Sequence, residues 1–358
     1  MLNINGMMKN SKPFISVILP AFNEEAIIEI NIEKITNYLK SKEYKYRWEI
    51  LIIDDGSSDK TGEIADSLVK TFKNFRVIHH SVNLNLGRAL QTGFRNVQGD
   101  IIVVLDMDLS YSVDHIERLV DTQIMTNADI VIASPYMKNG KVTNVPFIRE
   151  LLSRSVNRFM RFAAQEKFYT YTSMVRAYKT EFIITLNLKS KDYDINPEIL
   201  YKAMILRSQI IEIPAHLDWS EQNHLGAKRK SSMRVVRTFF SGLMAGFIFR
   251  PYIFFLSIGI ILFIIAFYLV GWIFYFIFTA IPQIPTDSQA FDGRFSLALK
   301  QIYNQRPILF FAGGLTLLAS FQILSLGFLS VQKKRYFEEL FHINTSILRQ
   351  SSKQGLQK

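Results

Sequence analysis

Between Tyr252 and Thr286 the chain carries no charged residue, and Pro307 to Val331 forms a second uncharged run. About 20 apolar residues in a helix cross the hydrocarbon core of a bilayer, so each run is long enough and the first has length to spare for tilt. The sequence therefore predicts two transmembrane helices, about 252–281 and 307–331. The placement of charge agrees. The formal net charge is +11, and Lys228, Arg229, Lys230, Arg234, Arg237 and Arg250 precede the first run with no acid among them. Lys333, Lys334 and Arg335 follow the second. Basic flanks beside hydrophobic spans are what the positive-inside rule and anionic headgroups select, so the excess charge points to a membrane and no nucleic-acid partner is expected. Two spans put both flanks on one side. The N-terminal domain and the C-terminal tail are expected in the cytoplasm, with Pro282 to Arg306 a short non-cytoplasmic loop, in a bacterial or archaeal cytoplasmic membrane. Ser231 to Phe249 mixes Arg234 and Arg237 with Val, Phe, Leu and Met, as an interfacial amphipathic helix does.

There is no cysteine, which excludes disulfides, thiolate metal sites and a cysteine nucleophile. The first residues, MLNINGMMKNSKPF, lack the apolar core of a signal peptide, so the first half is expected to stay on the side where it is made.

From Phe14 the pattern is different. FISVILPAF, WEILIID, FRVIHH, DIIVVLD and ADIVIAS read as strands, and amphipathic stretches over Glu24–Leu39, Thr61–Phe72, Arg88–Asn96 and His115–Met125 read as helices. Continuous Ile, Val and Leu strands alternating with helices predict an α/β domain with a mostly parallel sheet covered on both faces. Such sheets bind ligands beyond the carboxyl ends of their strands. Polar clusters fall there: Asn23-Glu24 after the first strand, Asp54-Asp55 after the second, and Asp106-Met107-Asp108 after the fourth.

Asp106 and Asp108 sit two apart at the end of an apolar strand, where i and i+2 share a face. Two carboxylates so placed suit a hard divalent cation that also takes diphosphate oxygens. In the Asp54–Asp59 turn, Ser57, Ser58 and Asp59 are expected to shape the turn and cap a helix, while Asp55 offers a carboxylate to a base edge or ribose. Asn23, Glu24 and Glu25 fit both a helix cap and ligand contact. The six histidines show no metal spacing, and His79-His80 reads as structural.

PAFNEEA, IIDDGSSDKT, NLNLGRALQTG and LDMDLS, in this order, resemble the family 2 glycosyltransferases with a GT-A nucleotide-sugar-binding (Rossmann-like) fold, over roughly residues 14 to 200. Two C-terminal spans and IRELLSRSVNRFM resemble the branch of dolichyl- and undecaprenyl-phosphate sugar synthases. The resemblance implies that Pro20, Asn23, Glu24 and Asp55 hold the nucleoside, and that Asp106 and Asp108 bridge the diphosphate through Mg2+ or Mn2+. It further implies that Arg149 and Ser153, with Arg154 nearby, grip the acceptor phosphate. Lys228 and Arg229 would offset charge on the departing diphosphate. A lipid phosphate is already an anion, so it needs no strong general base, and one displacement at the anomeric carbon inverts it. The implied plan is a catalytic domain at 1–225, a basic juxtamembrane segment at 226–250, two spans within 251–331 and a basic tail at 332–358; a homo-oligomer stays open.

The family pattern is not fully kept. Asn85 and Leu86 replace the Gly and Lys of N-x-G-K-G, and Ser110 stands where Gln is frequent. Ser134-Pro135-Tyr136 replaces S-R-Y, Thr170 replaces the Asp of D-x-T-S-G-F-R, and Asn223 to Arg229 departs from R-x-x-G-x-S-K. Two other readings stand beside the transferase. One is a processive polysaccharide synthase, whose Q-x-x-R-W motif is missing here. The other is a catalytically silent membrane scaffold.

Overall fold

The computed structural model describes residues 12–164, 166–220, 250–284 and 291–355. Most of the expected juxtamembrane segment, including Lys228 and Arg229, lies outside the described residues. The chain divides into two compact units, Met1–Phe249 with His342–Lys358, and Arg250–Phe341.

The first unit opens with β1 (Phe14–Ala21), α1 (Ile28–Ser41), β2 (Arg47–Asp54), α2 (Thr61–Thr71), β3 (Phe75–His79), α3 (Leu86–Asn96) and β4 (Ile101–Val104). It continues through α4 (His115–Thr126), β5 (Ile130–Ser134), β6 (Lys141–Thr143), α5 (Phe147–Ala163), β7 (Arg176–Lys179), α6 (Thr180–Ile183), α7 (Ile195–Ile205), β8 (Ile210–Pro214) and β9 (His216–Asp218). Seven strands form one sheet in the order β3-β2-β1-β4-β7-β5-β8, and β6 pairs with β9 in a small second sheet. Every neighbouring pair in the large sheet is parallel except those made by β7, which runs antiparallel to both β4 and β5.

The sheet forms because its strands are apolar on both faces. Trp48 to Asp54 is buried at every position, as a strand covered by helices on both sides requires. Helix α1 buries Ile28, Ile32, Ile35 and Leu39, spaced four, three and four residues apart along one stripe, against the core that contains Ile15, Val17 and Leu19. That helix begins at Ile28, later than the Glu24 start read from the sequence. The backbone N–H groups of Glu24 and Glu25 are taken by the side chains of Thr61 and Asp59, which holds residues 24–27 in a turn.

One geometric expectation fails. β4 ends at Val104, so Asp106 and Asp108 are not on a strand and do not share a pleated face. They lie in a turn in which the Leu109 N–H donates to the Asp106 carbonyl at 3.2 Å and Leu109 takes a φ of 49°. Strand pairing stops because β7 covers only Ile101 to Val104 on that side.

The second unit holds α8 (Pro251–Ala280), α9 (Phe291–Gln305) and α10 (Pro307–Gly355) as far as Phe341. Pro251–Gln283 and Pro307–Ile347 are long and apolar enough to cross a membrane, and little of either is buried within the protein. The segment between the two runs, expected as a short loop, contains α9. Ala298 and Ile302, one turn apart, pack on Ile273, Ile277 and Ala280, so α9 has an apolar stripe to bury.

Candidate active site

β2, β1 and β4 are adjacent and parallel, so their carboxyl ends meet at one edge of the sheet. The chain runs outward from β1 to β2 and β3, then returns to place β4 on the other flank of β1. A crevice opens at such a switch point. The segments after β1, β2 and β4 carry Asn23-Glu24, Asp55 and Asp106-Asp108, so the acids and amide expected at the rim do gather along it.

The first two segments are laced together. The Asn23 N–H donates to Ser57 Oγ at 3.0 Å, and Asn23 Oδ1 accepts the Ser58 N–H at 2.8 Å. Glu25 Oε2 accepts the Lys60 N–H at 3.0 Å. Asn23 adopts a φ of 56°, which asparagine tolerates better than most residues. Its carbonyl oxygen is thus engaged in shaping the loop. Pro20 is half-buried within β1 opposite Ile53. Gly56, at a φ of 69°, has a necessity of its own: a Cβ there would lie 2.4 Å from the Val82 backbone carbon.

Asp54 and Asp55 divide the labour. Asp54 accepts the Ser57 N–H at 3.0 Å and bonds His79 Nδ1 at 2.8 Å. Burial pushes its carboxyl up, but the bonds from Ser57 and His79 outweigh burial and hold it below its ordinary value. His79 is raised in turn, chiefly by the bond to Asp54, against some opposing burial. Asp55 bonds His80 instead, Nδ1 to Oδ1 at 2.7 Å. The structural reading of His79-His80 names no partner for either histidine. The available signal was register: β2 and β3 are parallel with Asp54 opposite His79, which sets the next residues side by side as well.

Asp106 and Asp108 are partly exposed, and Asp108 Oδ1 accepts both the N–H of Ser110 at 3.0 Å and its hydroxyl at 2.6 Å. Among the described residues no group of three or more His, Asp or Glu side chains is arranged to hold a metal. Two carboxylates fit a hard cation that draws its remaining ligands from a phosphate-bearing substrate and water, rather than one enclosed by protein. In the third motif Asn85 takes φ 71° and ψ 165°, a region that is glycine's almost alone. This is the position where the family pattern has glycine.

The acceptor-side residues lie on α5. Ser153 Oγ accepts the Tyr136 hydroxyl at 2.8 Å. Arg154 is bound to Glu150 at 2.7 Å and lies over the Tyr136 ring. Arg149 places its guanidinium over the Trp219 ring, 4.1 Å from the centroid, a cation–π contact. Trp219 follows Asp218, whose N–H donates to the Ser110 carbonyl at 2.9 Å. A short series of contacts thus links Arg149 to the loop of Asp108. Where the family pattern has an Asp, Thr170 is buried and its hydroxyl meets that of Ser134 at 2.6 Å.

The fold is a doubly wound α/β sheet, with a candidate site at the switch point. Residues 16–186 match the family described as Glycosyl transferase family 2, so the chain carries a glycosyltransferase domain of that description. It is 29% identical over 227 residues to a dolichyl-phosphate β-glucosyltransferase of Trichomonas vaginalis, covering 61% of this chain and 69% of that protein. It is 33% identical over 202 residues to a dolichol-phosphate mannosyltransferase of Pyrococcus furiosus, covering 56% of this chain and about half, 55%, of the relative. Among solved structures it is similar to a glucosyl-3-phosphoglycerate synthase of Mycobacterium tuberculosis in complex with Mg2+ and uridine diphosphate. The identity there is 21% and the TM-score 0.44, over 63% of this chain and 79% of that one.

Proposed function

We propose that this glycosyltransferase moves a hexose from a nucleotide-diphosphate sugar to a polyprenyl phosphate at the cytoplasmic face of a membrane. Transfer proceeds with inversion and with Mg2+ or Mn2+ at Asp106 and Asp108. The observation that carries the lipid acceptor is the surface of α5. Phe147, Ile148, Leu151 and Phe162 are 76, 70, 51 and 70% exposed, on a helix that also carries Arg149, Arg154, Arg158 and Arg161. Large apolar side chains interleaved with arginines are poorly solvated in bulk water and well accommodated at headgroup depth. The Trichomonas and Pyrococcus relatives are both named for dolichyl phosphate, which supports the same acceptor class.

In this reading the rim of Pro20, Asn23, Glu24 and Asp55 cradles the nucleoside. Arg149 and Ser153 hold the lipid phosphate, one oxygen of which attacks the anomeric carbon while the bond to the diphosphate breaks. The bound cation would offset charge on the diphosphate, held there by Asp106 and Asp108. Lys228 and Arg229 are the further candidates for that task.

The test is to supply the purified full chain with a panel of nucleotide-sugars and a polyprenyl phosphate, and to follow products by mass spectrometry. A polyprenyl-phosphate monosaccharide formed only with divalent cation supports the proposal. A polymeric product favours a processive synthase, and absence of both turnover and nucleotide binding favours a silent scaffold. Topology has its own check, because the chain has no cysteine. A single cysteine at Ser288 should be labelled by an impermeant reagent only from the non-cytoplasmic side.

A further inference from the structure

We propose that His80 makes Asp55 a one-oxygen acceptor, and that the site thereby selects uridine over guanosine diphosphate donors. This rests on the nucleoside role proposed for Asp55 and narrows it to a base.

His80 and Asp55 are both nearly buried, with side chains 9% and 5% exposed, and His80 Nδ1 stands 2.7 Å from Asp55 Oδ1. A carboxylate only accepts, so Nδ1 carries the proton. Nε2 lies 2.9 Å from Thr92 Oγ1 on α3, and in the neutral ring it accepts that hydroxyl, which fixes the ring from its far side. The Leu84 N–H, from the loop leading into α3, donates to the same Oδ1 at 3.0 Å. One oxygen of Asp55 therefore takes two donors, which fills its in-plane lone pairs. Oδ2 has no hydrogen-bond partner among the described residues. The carboxylate is locked in rotation, with a single oxygen available at the rim.

The two common donor bases differ in what they ask of such a group. Uracil offers one N–H between two carbonyls, which a single carboxylate oxygen satisfies. The guanine edge offers adjacent N1–H and N2–H donors, which need both oxygens of a carboxylate to be paired. Here the second guanine donor would face an oxygen already filled, and a donor left unpaired at a desolvated contact loses affinity.

The experiment is calorimetric titration of the full chain in detergent with UDP and with GDP, each with Mg2+, for wild type, His80→Leu, His80→Asn and Thr92→Val. Wild type should bind UDP about tenfold or more tighter than GDP. His80→Leu removes the lock and should weaken UDP binding about tenfold, reducing the preference. His80→Asn returns an N–H at the Nδ1 position and should restore most of the UDP affinity. Thr92→Val loosens the ring without touching Asp55 and should fall between, so the proposal stays testable should His80→Leu fail to fold. Tighter binding of GDP, or UDP affinity unchanged in both His80→Leu and Thr92→Val, would overturn the inference while leaving the transferase proposal in place. Failure of wild type to bind either nucleotide would overturn both.

Discussion

The Arg149 guanidinium lies 4.1 Å from the centroid of the Trp219 ring, at the first turn of α5. Arg154, five residues further on, is committed to Glu150. The contact with the ring helps to hold Arg149 in place on the helix.

If Arg149 grips the lipid phosphate, Arg149→Ala removes a charge-assisted contact of roughly 1.5–3 kcal/mol, or about ten- to a hundredfold in kcat/KM for the lipid. Nucleotide-sugar affinity should hardly change, because Arg149 is outside the β1, β2 and β4 rim. Arg149→Lys should recover only part of the loss. Lipid titration at saturating donor decides this, and unchanged lipid kinetics in Arg149→Ala would sink the assignment.

Asp108→Asn should fold normally and lose turnover. An amide oxygen can still accept from Ser110, which preserves the turn, but it is a poor ligand for a hard divalent cation. Activity at the wild-type level in this variant, or in excess chelator, would remove the metal from the proposal.

The Asp54–His79 pair predicts a pH window. His79 is raised above its ordinary 6.5, so its contribution to stability is full below that value and fades as pH rises through the folded pKa. Asp54 is lowered below its ordinary 3.8, so its contribution is present above that value and fades as pH falls through the folded pKa. Both act together between pH 3.8 and 6.5. The gap in melting midpoint between wild type and Asp54→Asn should be widest there and shrink as His79 loses its proton. A gap that does not vary with pH would mean that His79 is already neutral. The effect is modest, because His79 is 40% exposed and solvent screens the pair.

Asn85→Gly should stabilise the protein by about 1 kcal/mol, since it relieves a backbone conformation that a side chain disfavours. The gain is partly offset by the greater freedom of glycine in the unfolded chain. Thermal or denaturant unfolding of the two proteins measures it. A lower midpoint in the glycine variant would show that the asparagine side chain makes a compensating contact.

The family, the parallel sheet and the two long apolar helices were legible in the residues, for reasons of period and composition. Strands buried on both faces must read as runs such as WEILIID, spans must lack charge, and ligand-facing acids must follow strands. The separate tasks of neighbouring residues were not legible. The sequence singles out Asp55 of the Asp54-Asp55 pair for ligand contact, but only the register of β2 against β3 assigns each its own histidine. Asp106 and Asp108 were expected to share a strand face, but β4 stops at Val104 and a turn presents them instead, because pairing length is set by β7, about 70 residues further on. The cause is the same in each case. Burial and period are local properties carried by every window of the chain, whereas a hydrogen-bond partner is chosen by whichever distant segment the fold brings within 3 Å.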